Sequence, residues 1–212
     1  MLLESIKEGA SVLEVGCGEG SFINLAKKSY QLTGFDLSES GIKKAKEQNP
    51  KIADRIWVGS IEEQSKLNDK FDAICMWDVL EHIWDPAPTC NKLLEMLEPG
   101  GKLYISTPNI NTVIAGLLKK RWAFMTPPEH LSFFSPKSIR YLFEKKLKAR
   151  VIYIHSRGKK VNLGFLFYKI KRVFPKFPGG ILKWVEESPT LAKAALYIPT
   201  GDIQYIVIEK GS

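Results

Sequence analysis

The sequence predicts an α/β fold built on a parallel sheet, and three observations predict it. Val12 to Ser21, V-L-E-V-G-C-G-E-G-S, runs an apolar strand straight into glycines at alternate positions, Gly16, Gly18 and Gly20. Glycine permits the positive φ angles and close main-chain approach that a strand-to-helix turn over a ligand needs. The residues that follow, S-F-I-N-L-A-K-K, place Phe22, Ile23, Leu25 and Ala26 at helical spacing, so the turn opens a helix. Phe71 to Trp77 is a nearly continuous apolar run bounded by charge, the pattern of a parallel strand covered on both faces.

The other elements follow in order. Met1 to Lys7 allows a turn or two before the first strand. Gln31 to Asp36 reads as a second strand ending on a carboxylate, twenty positions after Gly16. Ser38 is an N-cap for a helix through Gln48, which Asn49-Pro50 ends. Arg55 to Gly59 is the third strand and Phe71 to Trp77 the fourth. Asp85-Pro86 interrupts the chain before a helix over Thr89 to Leu97, and Pro99-Gly100-Gly101 turns into a fifth strand, Lys102 to Ser106. Ser135-Pro136 starts a helix with proline at its first position. Ala149 to His155 and Gln204 to Glu209 are the last two strands. Between them, Val161 to Phe174 and Ile181 to Tyr197 read as helices parted by residues 175–180.

At 212 residues, 44% hydrophobic and 25% charged, the chain suits a soluble domain with a sizeable core. Cys17, Cys75 and Cys90 are odd in number and lack metal-type spacing, which fits a reducing cytosol and predicts a cytoplasmic protein. No apolar run is long enough to cross a bilayer. The net charge of +8 comes from lysines spread in ones and twos, which fits a solvated exterior as well as an anionic partner. No RNA-recognition signature or aromatic-basic ladder points to nucleic acid.

The glycine turn alone is shared by several α/β families. A dinucleotide fingerprint, G-x-G-x-x-G, would need its third glycine where Ser21 stands, and no P-loop lysine follows. The pattern E-x-G-x-G-x-G from Glu14 to Gly20 instead resembles the first motif of the class I S-adenosylmethionine-dependent methyltransferases. G-F-D-L-S-E-S-G-I-K-K-A-K, F-D-A-I-C-M-W-D-V-L-E-H-I and P-G-G-K-L-Y-I-S-T-P-N resemble successive motifs of that superfamily in family order, over about residues 10 to 109. P-P-E-H-L-S-F-F-S-P resembles the insertion of its ubiquinone-type and related small-molecule members. The resemblance implies a Rossmann-like seven-stranded, mostly parallel sheet with helices on both faces. It also implies an antiparallel last strand between the fifth and sixth, and helical insertions after strands 5 and 6. One domain, 1–212, would divide into a cofactor-binding half, 1–109, and a substrate-side half, 110–212, with lid insertions at about 110–146 and 157–200.

The implied cofactor is S-adenosyl-L-methionine. Glu14, Gly16, Cys17 and Gly18 would form its loop, and Asp36 with Leu37 would hold the ribose, since a carboxylate there accepts hydrogen bonds from both hydroxyls. Ser60 and Ile61 would flank the adenine, Ser60 standing where many relatives have Asp. Trp77 and Val79 would border the methionyl arm, although the Trp77 side chain is read equally as packing. Asp78, Glu81 and His82 fall at i, i+3 and i+4, one face of a helix. That spacing resembles the acid-x-x-Glu-His segment of ubiquinone-type O-methyltransferases, some of which bind a divalent ion there. The favoured alternative is substrate shaping without metal. His130 is read as an acceptor of the substrate proton, as a brace for its loop, or as a further ion ligand.

The expected function is methyl transfer to a small-molecule acceptor, with oxygen favoured over nitrogen or carbon. Glu81, His82 and His130 would be its catalytic residues, with no resident metal. A nicotinamide oxidoreductase and a non-catalytic cofactor-binding protein are the rivals. Either a monomer or a homodimer is expected. The aromatic, basic helix 161–174 admits a peripheral membrane contact, or packing on its own domain or on a second subunit.

Overall fold

The order of the strands explains where a site can form. The structure, a computed structural model, describes residues 6–61, 70–164 and 194–210, with a few isolated positions between the last two spans. In chain order the strands are β1 (Ser11–Val15), β2 (Gln31–Asp36), β3 (Ile56–Val58), β4 (Phe71–Trp77), β5 (Leu97–Pro108), β6 (Arg150–Asn162) and β7 (Ala195–Glu209). They form one seven-stranded sheet in the order β3-β2-β1-β4-β5-β7-β6. The first five are parallel, and β7 runs antiparallel between β5 and β6. The seven-stranded sheet with its reversed last strand matches the sequence-based expectation.

Register sets the level of the site. Val15 pairs with Phe35 on one side and with Met76 on the other. The next residue on each strand is therefore Gly16, Asp36 or Trp77, and all three reach the carboxyl edge of the sheet together. Chain order reverses at this point, between β1 and β4, and open parallel sheets bind ligands in such crevices.

Both faces of the sheet are covered. Leu13, Val15, Ile74, Met76 and Ile105 belong to one buried cluster, while Val12, Ala73, Cys75 and Tyr104 belong to the other. This two-sided burial is why β4 reads as an unbroken apolar run rather than an alternating one. Truncating a fully buried side chain such as Leu13 to Ala would cost about 2–5 kcal/mol. All three cysteines are buried and free, and burial pushes the Cys17 and Cys90 thiols up to about 12.

The helices start where their caps lie. Helix α1 (Ser21–Ala26) follows Gly20, whose φ of 78 starts the turn. Ser38 caps α2 (Glu39–Gln48), its hydroxyl accepting from the Gly41 N–H. Helix α3 (Pro86–Glu95) begins earlier than the Thr89 predicted from sequence, because Asp85 caps it and proline is tolerated at the first helical position. After β5 come α4 (Val113–Leu118) and α5 (Pro136–Arg140), and Ser135 makes a capping box with Ser138 at the start of α5.

The sequence-based reading of the segment between the last two strands needs correction at its end. Residues 195–197, read as the end of a helix, are strand: β6 and β7 extend as a hairpin in which Lys160 pairs with Tyr197 and Asn162 with Ala195. Pairing to a partner strand here overrides the local helical pattern. Most of the two predicted helices, 161–174 and 181–197, lies outside the described residues.

Candidate active site

A cleft of about 490 Å³ opens at the carboxyl edge of β1, β2 and β4. Its lining includes Gly16, Asp36, Leu37, Ser60, Ile61, Trp77 and Val79, seven of the ten predicted cofactor residues. Glu14, Cys17 and Gly18 do not line it.

The glycine bend is built for close packing. Gly16 sits at φ +71, and a Cβ there would lie 2.4 Å from Val79 Cγ2. Gly18, at φ +51, has nothing within 4 Å of its notional Cβ. The bend is tied to the tip of β2: the N–H groups of Gly16 and Cys17 donate to the Phe35 carbonyl, and that of Gly18 donates to Asp36 Oδ2 at 2.8 Å. The other oxygen, Asp36 Oδ1, accepts from the Ser38 N–H at 2.8 Å. Each Asp36 oxygen thus holds one backbone donor and keeps lone-pair capacity for another.

Glu14 is buried behind this bend rather than in the cleft. Burial, with Asp36 adding its charge, raises its carboxyl to about 8, and a hydrogen bond from the Ile23 backbone pulls it part of the way back. Its Oε2 has no partner among the described residues. The buried Trp77 indole N–H is also unpartnered there, and the ring packs edge-on against Phe22.

The helical reading of Asp78, Glu81 and His82 fails. Only Leu80–His82 forms a 3₁₀ turn, and Asp78 lies before it at φ 54. Asp78 is instead bound to β5: its N–H donates to the Ser106 carbonyl and hydroxyl, and the Ser106 hydroxyl donates to Asp78 Oδ1 at 2.8 Å. This cross-strand tie removes Asp78 from the face it was expected to share.

His130 joins Glu81 and His82 in its place. One ligand-type atom from each of the three lies within 4.8 Å of the others. The two imidazoles meet edge to face with centroids 4.8 Å apart. His82 Nδ1 lies 2.6 Å from the Glu129 carbonyl, and His130 Nδ1 lies 2.7 Å from the Phe124 carbonyl. A carbonyl only accepts, so each Nδ1 carries a proton, which leaves Nε2 as the atom through which either ring could act as a base or ligand.

Glu81 holds the loop that brings His130 in. Its carbonyl accepts from the Leu131 and Ser132 N–H groups, and its buried side chain accepts from the Thr107 hydroxyl at 2.8 Å. Burial pushes the Glu81 carboxyl up; its hydrogen bonds, Thr107 included, and the neighbouring His82 hold it back, while Asp78 adds to the rise. Glu81, His82 and His130 are chemically able to hold a divalent cation, since imidazoles fixed through Nδ1 offer Nε2 as ligands.

Sequence reasoning passed over several cleft residues, among them Phe35, Gly59, Ile83, Trp84 and Thr89. Trp84 is 84% exposed on the rim. No periodicity marks such a position, whereas Thr107, at the end of β5, belongs to a strand tip that the sequence does mark.

The chemistry of the lining indicates what fits. Two carboxylates, Asp36 and Asp78, line the cleft, and among the described residues no lysine or arginine does. A dinucleotide pyrophosphate would be repelled there, and the helix that follows the bend has only six residues. A nucleoside that lacks phosphate and carries positive charge matches this set. Leu37, Ile61 and Ile83 could offer an apolar seat for its base, Asp36 could accept from its sugar, and the Gly16 bend could admit an arm close to the main chain.

Fold and cleft together define a nucleoside-binding α/β protein of the seven-stranded kind with a reversed last strand. The sequence profile of the methyltransferase domain matches residues 1–146, and the chain belongs to that family, within the class I S-adenosylmethionine-dependent methyltransferases. The cofactor of this class is S-adenosyl-L-methionine. The ubiquinone biosynthesis O-methyltransferase of Coxiella burnetii is 37% identical over 107 residues, 49% of this chain and 46% of that protein. The chain therefore spans about half the length of the curated relatives it matches. Among solved structures, the YcgJ protein of Bacillus subtilis aligns with a TM-score of 0.66 at 12% identity, covering 98% of this chain and 94% of that one. Phosphoethanolamine N-methyltransferase 2 of Haemonchus contortus, solved with S-adenosyl-L-methionine, aligns at 0.59 and 18% identity over 99% of this chain and 50% of that one. At such identities the structural likeness concerns the fold alone.

Proposed function

We propose that the chain transfers a methyl group from S-adenosyl-L-methionine to a small-molecule acceptor, with an oxygen as the favoured acceptor atom. The observation that carries this reading is the cleft at the β1–β4 reversal, lined by Asp36 and Asp78 with no lysine or arginine among the described residues. When bound, S-adenosyl-L-methionine supplies an electrophilic methyl carbon on a positively charged sulfur. The protein's task is then alignment, plus removal of a proton where the acceptor needs it.

Asp36 would receive the ribose hydroxyls on the lone pairs its backbone donors leave free. Ser60 and Ile61 would border the base, and Trp77, Val79 and the Gly16 bend the methionyl arm. His82, which lines the same cleft, and His130 beside it would take the proton from an acceptor hydroxyl on Nε2. Glu81 would position both through the loop it binds. The likeness to ubiquinone O-methyltransferases supports oxygen as the acceptor atom, over the half of the chain that it covers.

Titration calorimetry with S-adenosylhomocysteine and with NADH tests the cofactor. Binding of the first without the second is expected; tight NADH binding alone would refute the reading. Incubation with a panel of phenols and amines, read as S-adenosylhomocysteine formed, tests the chemistry. His130→Ala should lower turnover about 10²–10⁴-fold with cofactor affinity unchanged. No product from any acceptor, with the cofactor still bound, would favour a non-catalytic cofactor-binding protein.

A further inference from the structure

The loop that carries His130 is anchored on both sides of that residue, and the two anchors differ. After His130, the Glu81 carbonyl takes the Leu131 and Ser132 N–H groups. Before it, the buried Trp122 donates its indole N–H to Asp202 Oδ1 at 3.3 Å, and Asp202, on β7, is itself only 5% exposed. The Asp202 main chain is fixed in turn, because its carbonyl accepts from the Asn109 N–H at 2.7 Å, just past the end of β5. An indole has a single donor, so a carboxylate held on the sheet decides which way that ring is turned.

The orientation of the indole reaches His130 through two phenylalanines. Trp122 meets Phe124 edge-on with centroids 5.3 Å apart, and its centroid lies 6.5 Å from that of Phe133. Those same two rings flank the His130 imidazole: Phe124 lies nearly parallel to it at 6.2 Å, and Phe133 stands against it edge-on at 6.4 Å. The Phe124 carbonyl also accepts from His130 Nδ1 at 2.7 Å. The residue that rests on the indole therefore sets the tautomer of the imidazole as well as its packing. Turning the indole would shift that carbonyl, and with it the direction of His130 Nε2.

We propose that Asp202 is a positioning residue: acting through the Trp122 indole, it fixes how His130 is turned and so where Nε2 stands beside His82. The two anchors then divide the work. Glu81 seats the loop, and Asp202 orients the ring that the loop carries. Asp202 stands outside the lining of the cleft, on the antiparallel strand, and influences the acceptor side from there. Its effect on turnover rests on the reading of His130 as the proton acceptor, whereas its hold on the imidazole does not, and the two are measured separately.

Proton–nitrogen correlation spectra of the imidazoles in the full chain, at about pH 7.5 where an ordinary ring is mostly neutral, test this. The sequence has three histidines, His82, His130 and His155, so each signal is assigned by replacing one ring with Gln. In the parent, His130 should show a protonated Nδ1 and a bare Nε2. Trp122→Phe deletes the donor and Asp202→Ala the acceptor, and both should convert His130 to a mixture of the two tautomers while His155 stays as it was. Asp202→Asn offers a carbonyl oxygen to the same indole and should restore the parent pattern. With an acceptor that the parent methylates, the first two variants should lower kcat about ten- to a hundredfold and leave S-adenosylhomocysteine affinity unchanged. Unaltered His130 signals in both variants overturn the proposal. So does an equal change at all three histidines, which would report a general loosening of the fold. Altered His130 signals without loss of kcat would uphold the hold of Asp202 on the ring and refute His130 as the proton acceptor.

Discussion

Replacing Glu14 by Gln should remove most of a pH dependence that the wild-type fold carries. The folded chain holds the Glu14 carboxyl at about 8 against an ordinary 4.5, chiefly because burial disfavours its charged form. Between those two values the folded state keeps the proton and the unfolded chain releases it, so stability is whole below about 4.5 and is lost as the pH climbs to about 8. The gap corresponds to about 5 kcal/mol, of which roughly 3–4 kcal/mol falls between about pH 5 and about pH 8. Glutamine has nearly the same shape and cannot ionise. It introduces an amide where Oε2 has no partner among the described residues, a constant cost of about 1–3 kcal/mol. Urea denaturation of both proteins without cofactor, across that pH range, separates the two effects. The wild type should be the more stable at the acid end and the variant should catch up or overtake it at the alkaline end, since only the slope reports ionisation. Two curves that stay parallel throughout would refute the reasoning, because the carboxyl would then ionise alike in the folded and unfolded chains.

Other perturbations separate sterics, anchoring and catalysis. Gly16→Ala combines a left-handed backbone with a contact at 2.4 Å to Val79, and should cost about 2–5 kcal/mol. Gly18→Ala has the backbone term only, about 1–2 kcal/mol, so equal losses in urea midpoint would show that the Val79 contact relaxes freely. Trp122→Phe deletes the indole hydrogen bond to the buried Asp202 carboxylate at 3.3 Å, and should lower stability by about 1.5–3 kcal/mol, with a smaller loss if Asp202→Asn is already present. Turnover should survive exhaustive chelation if His82 and His130 take the proton themselves; loss restored by Mg²⁺ would make Glu81, His82 and His130 an ion site.

The cofactor half was legible because its determinants are local. Gly16, Gly18 and Gly20 all adopt positive φ, and the strands on either side of the bend are short apolar runs whose ends are marked by polar residues. The Ser38 cap and the Ser135-Pro136 start depend on residues within three positions of each other, so a single sequence contains everything needed to read them. The reversed last strand came from resemblance rather than from pattern, since nothing in an apolar run states its direction.

The acceptor side was harder because its geometry is decided by contacts far apart in the chain. Asp78 has helical spacing to Glu81 and His82, yet two hydrogen bonds to Ser106, 28 residues on, hold its backbone outside any helix. His130 reaches His82 only because the Glu81 carbonyl takes two N–H groups from the loop beside it. Glu81 therefore has two separable roles. Its main chain seats the loop whatever its side chain, while its carboxyl is fixed to Thr107 on β5. Glu81→Gln should leave His130 near His82 and still alter catalysis, a separation that inspection of the E-H dipeptide alone could not suggest. A sequence shows which residues carry the chemistry; the pairing of β4 with β5 and the tether of one loop decide which of them meet.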